Sequence, residues 1–116
     1  MLNHLVMMKF RSDVDPEKIE ELEARLENLP KTINDIHSYE FGRDVIRSER
    51  SYDFALVGLF ANEDALGRYQ THPDHVKVLD LLKTMCESVV TVDFFGVDAS
   101  DLKEKPPGGF ENLLEP

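Results

Sequence analysis

The segment Phe54-Ala-Leu-Val-Gly-Leu-Phe-Ala61 constrains this chain more than any other. Its length and composition read as a strand, and successive side chains of a strand point to opposite faces. Phe54, Leu56 and Phe60 then share one face, while Ala55, Val57 and Leu59 share the other. A strand with water on one side alternates apolar with polar residues. This one does not. Two further stretches behave alike. Leu5 and Met7 alternate with Val6, Met8 and Phe10 in a first strand, Leu2 to Phe10; Val90, Val92 and Phe94 alternate with Val89 and Phe95 in a last strand, Val89 to Val97. A sheet built from these strands needs a cover on both faces.

The remaining pattern supplies one cover. Asp15-Pro16-Glu17 opens a helix, with Asp15 as cap, Pro16 in the first turn and Glu17 at the positive end of the dipole. Ile19, Leu22, Leu26 and Leu29 recur at helical spacing, Pro30 ends the run, and the acidic opposite face reads as solvated. Ile36 to Ile46 reads as a second strand, in which Gly42 suggests a bulge or a close backbone approach. Arg47 to Ser51 is a polar turn. Asn62-Glu63-Asp64 starts a short helix through Tyr69, His72-Pro73 interrupts it, and a second helical stretch runs to about Ser88 with Leu79, Leu82 and Met85 as its buried stripe.

The order strand, helix, strand, strand, helix, strand is the split pattern of a ferredoxin-like α+β sandwich. Its antiparallel four-stranded sheet carries helices on one face only. Leaving the other face bare exposes an apolar patch larger than the few hundred Å² a monomer tolerates. A second copy of the same face is the economical cover, giving a homodimeric α/β barrel. The domain on this reading is residues 1–97. From Asp98 the composition shifts to Asp-Ala-Ser-Asp and Lys-Glu-Lys-Pro-Pro-Gly-Gly, so 98–116 reads as a flexible C-terminal extension, with Phe110, Leu113 and Leu114 as apolar residues available for docking.

Charge and motifs exclude several function classes. A formal net charge of −10 over 116 residues repels nucleic acid and anionic lipid. Met1 to Phe10 is too short, and too interrupted by His4 and Lys9, for a signal peptide or membrane span. Cys86 is the one cysteine, so no internal disulfide forms; a reducing, cytoplasmic setting fits, and apolar neighbours make it a buried, inert thiol. Pro107-Gly108-Gly109 lacks the preceding strand of a phosphate loop, and Ser38, Ser48 and Ser51 sit in ordinary strand or turn contexts. His72 and His75 fall short of the three or four ligands zinc wants, and Pro73 turns their rings apart. His37 falls in the second strand, on the surface. Nothing calls for a metal or a cofactor.

Several strings then carry a resemblance. His4-Leu5-Val6 leading to Lys9-Phe10, Gly42-Arg43-Asp44, Phe60-Ala-Asn-Glu-Asp-Ala65, and above all Tyr69-Gln-Thr-His72-Pro73-Asp-His75-Val76, with Asp93 in the final strand, resemble the stress-responsive A/B barrel (Dabb) family over about residues 2 to 97. The resemblance implies a homodimer of ferredoxin-like subunits with facing sheets. Many members have no assigned activity. One plant branch is a cofactor-free polyketide cyclase whose acid/base histidine, supporting aspartate and tyrosine fall on His75, Asp93 and Tyr69, with a further pocket histidine on His4. The chain departs from that branch on the first helix, where Glu17 to Leu29 contains no Tyr, Ser or Thr and Leu26 stands at the cyclase's tyrosine position.

Pro73 at a helix start puts His75 in the first turn, where the positive dipole end favours neutral imidazole, a usable base near pH 7. Asp93 beside it would stabilise the imidazolium and fix the tautomer. The expectation is a small, mostly apolar pocket beneath the helices, with His75, Tyr69 and Asp93 as catalytic candidates and His4 and His72 as ligand contacts. It would take a small organic molecule. Three alternatives stand beside it: cofactor-free acid/base catalysis or a barrel-type monooxygenase; a purely structural His75–Asp93 tie between helix and strand; and a non-catalytic interaction module using Phe110 to Leu114.

Overall fold

The structure, a computed structural model, describes residues 1–97; the extension expected over 98–116 lies outside the described residues. The elements are β1 (Leu2–Phe10), α1 (Pro16–Thr32), β2 (Ser38–Arg43), β3 (Phe54–Phe60), α2 (Glu63–Thr71), α3 (Pro73–Met85) and β4 (Cys86–Phe95). The strands form one antiparallel sheet in the order β2-β3-β1-β4. This is the ferredoxin-like α+β arrangement.

Each helix begins where its sequence satisfies the orphan N–H groups. The Asp15 carboxylate accepts from the Glu17 N–H at 2.9 Å, and the Asn62 side-chain oxygen accepts from the Ala65 N–H at 2.9 Å. α1 runs two residues past Pro30, contrary to the expected stop. A proline in the last turn forfeits only one intrahelical bond, and the Ile33 N–H closes the end on the Leu29 carbonyl at 2.9 Å.

Leu22, Leu26 and Leu29 of α1 and Val78, Leu81, Leu82 and Met85 of α3 meet Leu2, Val6, Met8, Phe54, Leu56 and Phe60 of the sheet in one core. The stripe on α3 includes Val78 and Leu81, whereas Leu79 is 39% exposed at the cavity's edge. The opposite sheet face is bare in the protomer: Met7, Val92 and Phe94 are 43%, 55% and 46% exposed.

Five strand boundaries differ from the sequence reading; two of them are small, β3 ending at Phe60 rather than Ala61 and β4 at Phe95 rather than Val97. β2 spans only Ser38–Arg43, because its ladder to β3 ends at Arg43–Phe54. Beyond it Val45 and Ile46 stand in solvent, and Arg47 adopts φ 56° in the loop. His37 precedes β2, exposed as expected. β4 begins at Cys86, not Val89, since β1 pairs as far as Phe10–Cys86, with a register shift between Lys9 and Phe10. Gly42 causes no bulge; it pairs regularly with Ala55, and a Cβ there would meet nothing within 4 Å. The close approach is at Gly58, where a Cβ would lie 2.9 Å from a Phe60 ring carbon and 3.4 Å from the Tyr39 ring.

Candidate functional site: two histidines and two phenols beneath the helices

Strand register builds the floor of the site. Tyr39 pairs with Gly58, Gly58 with His4, and His4 with Asp93, so one row crosses all four strands on the helix-covered face. The glycine leaves a gap in that row. The Phe60 and Tyr39 rings close over it, and Tyr69 from α2, fully buried, packs on them, with its ring 4.8 Å from Phe60 and 6.0 Å from both His4 and Tyr39. His75, in the first turn of α3, lies 4.2 Å from the Tyr69 ring.

Each polar group has one defined partner. The His4 Nδ1 meets the Asp93 carboxylate at 2.5 Å. A carboxylate only accepts, so Nδ1 of His4 is the donor, and in the neutral ring Nε2 carries the lone pair. The His75 Nδ1 lies 3.1 Å from the Gln70 carbonyl, one of the orphan acceptors in the last turn of α2, and must likewise donate. The Tyr69 and Tyr39 hydroxyls are 2.5 Å apart. No buried side-chain nitrogen or oxygen among the described residues lacks a partner. The two Nε2 atoms, unpartnered among those residues, therefore open on free space.

That space is a cavity of about 210 Å³ between sheet and helices. His4, His75, Tyr69, Gln70 and Thr91 are its polar lining; Val6, Met8, Leu26, Leu56, Val78 and Leu82 are among its apolar walls. Leu26 thus presents hydrocarbon to this space. Burial holds His75 below its usual pKa, helped by the nearby His4 and His72 and opposed by the Gln70 hydrogen bond. Burial also pushes Tyr69 up to about 12. Tyr39 is raised further, by burial first and then by Tyr69. Cys86 lies outside the lining, and burial lifts its thiol to about 11, consistent with an inert role.

Two expectations are corrected. Asp93 serves His4, not His75, because antiparallel register places it directly opposite His4, whereas the first turn of α3 aims His75 at the end of α2. His72 does not line the cavity: its Nδ1 accepts the Asp74 N–H at 3.1 Å and caps α3. Sequence reasoning missed Tyr39 and the Gln70 carbonyl. Tyr39 carried one weak signal, its place on the covered face of β2, and a backbone carbonyl carries none.

A larger, shallower cleft of about 570 Å³ lies at the other end of β1, near Phe10, Arg43 and Arg47. Its charges are spent on one another and on neighbours: Arg47 meets Asp53 at 2.7 Å, Arg43 meets Glu23 at 2.6 Å and Lys9 meets Glu87 at 3.5 Å. Exposed pairs of this kind are screened by water. The buried, incompletely partnered groups all sit in the smaller cavity.

Known proteins share this framework. The stress-response A/B barrel domain-containing protein At5g22580 of Arabidopsis thaliana is 30% identical over 96 residues, 78% of this chain and 82% of its own. Olivetolic acid cyclase of Cannabis sativa is 24% identical over 95 residues, 80% of this chain and 94% of its own. A crystal structure of a dimeric ferredoxin-like protein of unknown function from Thermobifida fusca superposes with a TM-score of 0.74 at 32% identity, covering 80% of this chain and 88% of the other. The Stress responsive A/B Barrel Domain family matches residues 2–95, from the first residue of the sheet to the last. A match of that extent settles the family: the chain belongs to the stress responsive A/B barrel domain (Dabb) family.

Proposed function

We propose that this protein works as a homodimer that binds a small, largely apolar organic molecule in the cavity between His4 and His75. The carrying observation is the pair of Nε2 atoms left without partners in an otherwise apolar, largely enclosed space. Such a pocket takes its affinity from the walls and its orientation from the few polar atoms. The dimeric description of the Thermobifida fusca structure supports the homodimer, as does the bare apolar sheet face. At ~25 cal/mol per Å², covering several hundred Å² on each copy gives ~10 kcal/mol or more before the cost of association.

Aromatic-fragment screening by NMR tests the binding claim. Fragments that shift the imidazole signals of His4 and His75 together support it; a library that moves neither overturns it. Sedimentation tests the assembly, and a single-chain mass at micromolar concentration would sink it.

A second reading, cofactor-free acid/base catalysis, is favoured by the carboxylate behind His4. Asp93 fixes the ring orientation of His4 through Nδ1, while burial favours neutral His75, so one cavity holds two imidazoles that both turn Nε2 to the same space. The likeness to olivetolic acid cyclase supports this reading, and Leu26 argues for a different substrate. On a compound found by the screen, His4→Ala and His75→Ala are each expected to lower turnover ~100-fold or more. Unchanged turnover in both variants refutes catalysis. Among the described residues no helix is long and apolar enough to cross a membrane.

A further inference from the structure

We propose that the Val45–Ile46 loop tip of one copy seats in the groove between α3 and β4 of a second copy, so that the mouth of each cavity is completed by the other chain. Two apolar features of the protomer lack a cover. The first is the loop tip, where Val45 and Ile46 are 85% and 76% exposed. This is not the fraying of a loose segment. The Asp44 carboxylate accepts the Arg47 N–H at 2.6 Å, the Arg47 guanidinium donates to Asp53 at 2.7 Å, and the Ser48 N–H donates to the Ser51 hydroxyl at 3.1 Å. Arg47 adopts the left-handed backbone that closes the turn, a conformation that costs a residue other than glycine. The loop is braced, and it holds two branched hydrocarbon side chains outward.

The second feature is the groove. Val89 pairs with the buried Met8, which puts it on the helix-covered side of the sheet, yet it is 43% exposed. The helices leave that side of β4 open, and Thr91 and Phe95 on the same side are exposed too. A space of about 330 Å³ lies there, with Leu79, Leu82, Cys86 and Val89 among its walls. Leu79, Leu82 and Val89 also line the cavity, so the groove sits at its mouth.

Register says which loop can reach which groove. Arg43 pairs with Phe54, Phe54 with Met8 and Met8 with Val89, so Arg43 and Val89 end one row on opposite edges of the sheet. β2 and β4 are those edges, and they run antiparallel to each other. Two bare faces can stack about a two-fold axis that runs across the strands or along them. An axis across the strands lays β2 over β2 and leaves every edge unpaired. An axis along the strands brings β2 of one copy level with β4 of the other, antiparallel, so that each edge can gain a backbone partner. Arg43 of one copy then stands beside Val89 of the other, and Val45 and Ile46, just beyond Arg43, reach the Cys86–Val89 end of the groove. Two-fold symmetry makes the contact twice.

The inference rests on the homodimer and deepens the ligand reading. The second copy adds hydrocarbon and no charge at the cavity mouth, so a bound molecule should meet the polar atoms of one chain only. Such a molecule should bind the assembled protein better than the single chain, and by linkage should favour assembly.

Isotope-filtered NMR tests the contact on dimers assembled from labelled and unlabelled chains. Signals between the Ile46 methyls of one chain and the Leu79 and Val89 methyls of the other are expected. Their absence in a sample that sediments as a dimer overturns the proposal and leaves the homodimer standing; a single-chain mass overturns both. Cross-linking gives a second measurement. A chain carrying Cys86→Ser, Ile46→Cys and Val89→Cys, treated with a short bis-maleimide, is expected to run mostly as a two-chain product, while Cys86→Ser chains with either new cysteine alone keep the single-chain mass. Links confined within one chain, or a two-chain product from either cysteine alone, mean a different arrangement and overturn the proposal. A failed fragment screen leaves both results intact.

Discussion

The two faces of β1 and β3 are made of similar hydrocarbon but are used in different ways. On the covered face, Phe54, Leu56 and Phe60 pack under helices, and the row Tyr39, Gly58, His4, Asp93 runs through them. On the bare face, Leu5, Met7, Val57, Val90 and Val92 offer no comparable polar group at the centre of the sheet. The lesson concerns polar atoms. A face closed permanently by its own helices can hold buried polar groups, because fixed partners satisfy them. A face closed by a second copy is safest when nothing on it needs a partner.

The largest effect should come from placing a charge on the bare face. Val92→Asp sets a carboxylate beside Leu5, and two-fold symmetry sets two in the proposed dimer. Burying such a group unpaired costs several kcal/mol. The dimer is expected to weaken ~1,000-fold or more, while circular dichroism keeps the protomer's signature. Sedimentation equilibrium reads the difference, and a dimer of unaltered affinity would mean that this face is not the interface.

Neighbouring residues of one strand sharpen the contrast. Phe60, fully buried, packs on Tyr69 and His4, and Phe60→Ala is expected to cost about 3–5 kcal/mol in urea unfolding. Leu59 points to the other face and is half-buried, so Leu59→Ala should act mainly on dimer dissociation. Equal losses of protomer stability from the two would erase the distinction between the faces.

How much of this was legible in the sequence follows from the range of each interaction. Strand faces depend on period-two patterning within a few residues, so the alternation in Phe54–Phe60 was readable and the fold with it. Pro73 and the first turn of α3 are equally local, and His75 stands where they put it. Register is not local. Nothing near Asp93 says that His4, 89 positions away, lies opposite, and the expected pairing with His75 failed for that reason. The glycines show the same limit. Gly42 looked special from its strand position, yet Gly58 matters, because Tyr39 of β2 reaches it and Phe60 only once β2 and β3 are in register. β4 extended back to Cys86 because β1 was there to pair with it, a partner that helical spacing in Leu79–Met85 cannot reveal.

Gly58→Ala probes that converging row with a smaller perturbation. The added methyl would lie 2.9 Å from Phe60 and 3.4 Å from Tyr39, so rings must shift at a cost of about 1–3 kcal/mol. Urea unfolding reads the loss, and a variant as stable as the unaltered chain would show that the row has room for a side chain at this position.

The smallest effect is a pH dependence confined to the covered face. Burial lowers the His75 pKa below its ordinary 6.5, so the unfolded chain binds this proton more readily than the folded one. Stability rises with pH wherever the unfolded state holds more protons. The contribution from neutral His75 is therefore complete above about pH 6.5 and is lost as pH falls from there through the folded-state value. Urea unfolding of the native chain should show this decline below neutrality, on top of whatever other groups contribute. His75→Asn, which keeps a donor for the Gln70 carbonyl but does not titrate, should lose part of the slope. Dimer affinity should be indifferent to that substitution, since His75 lies on the far side of the sheet from the apolar face. A substitution that changed dimer affinity and left the slope alone would show that the two faces are coupled through the sheet.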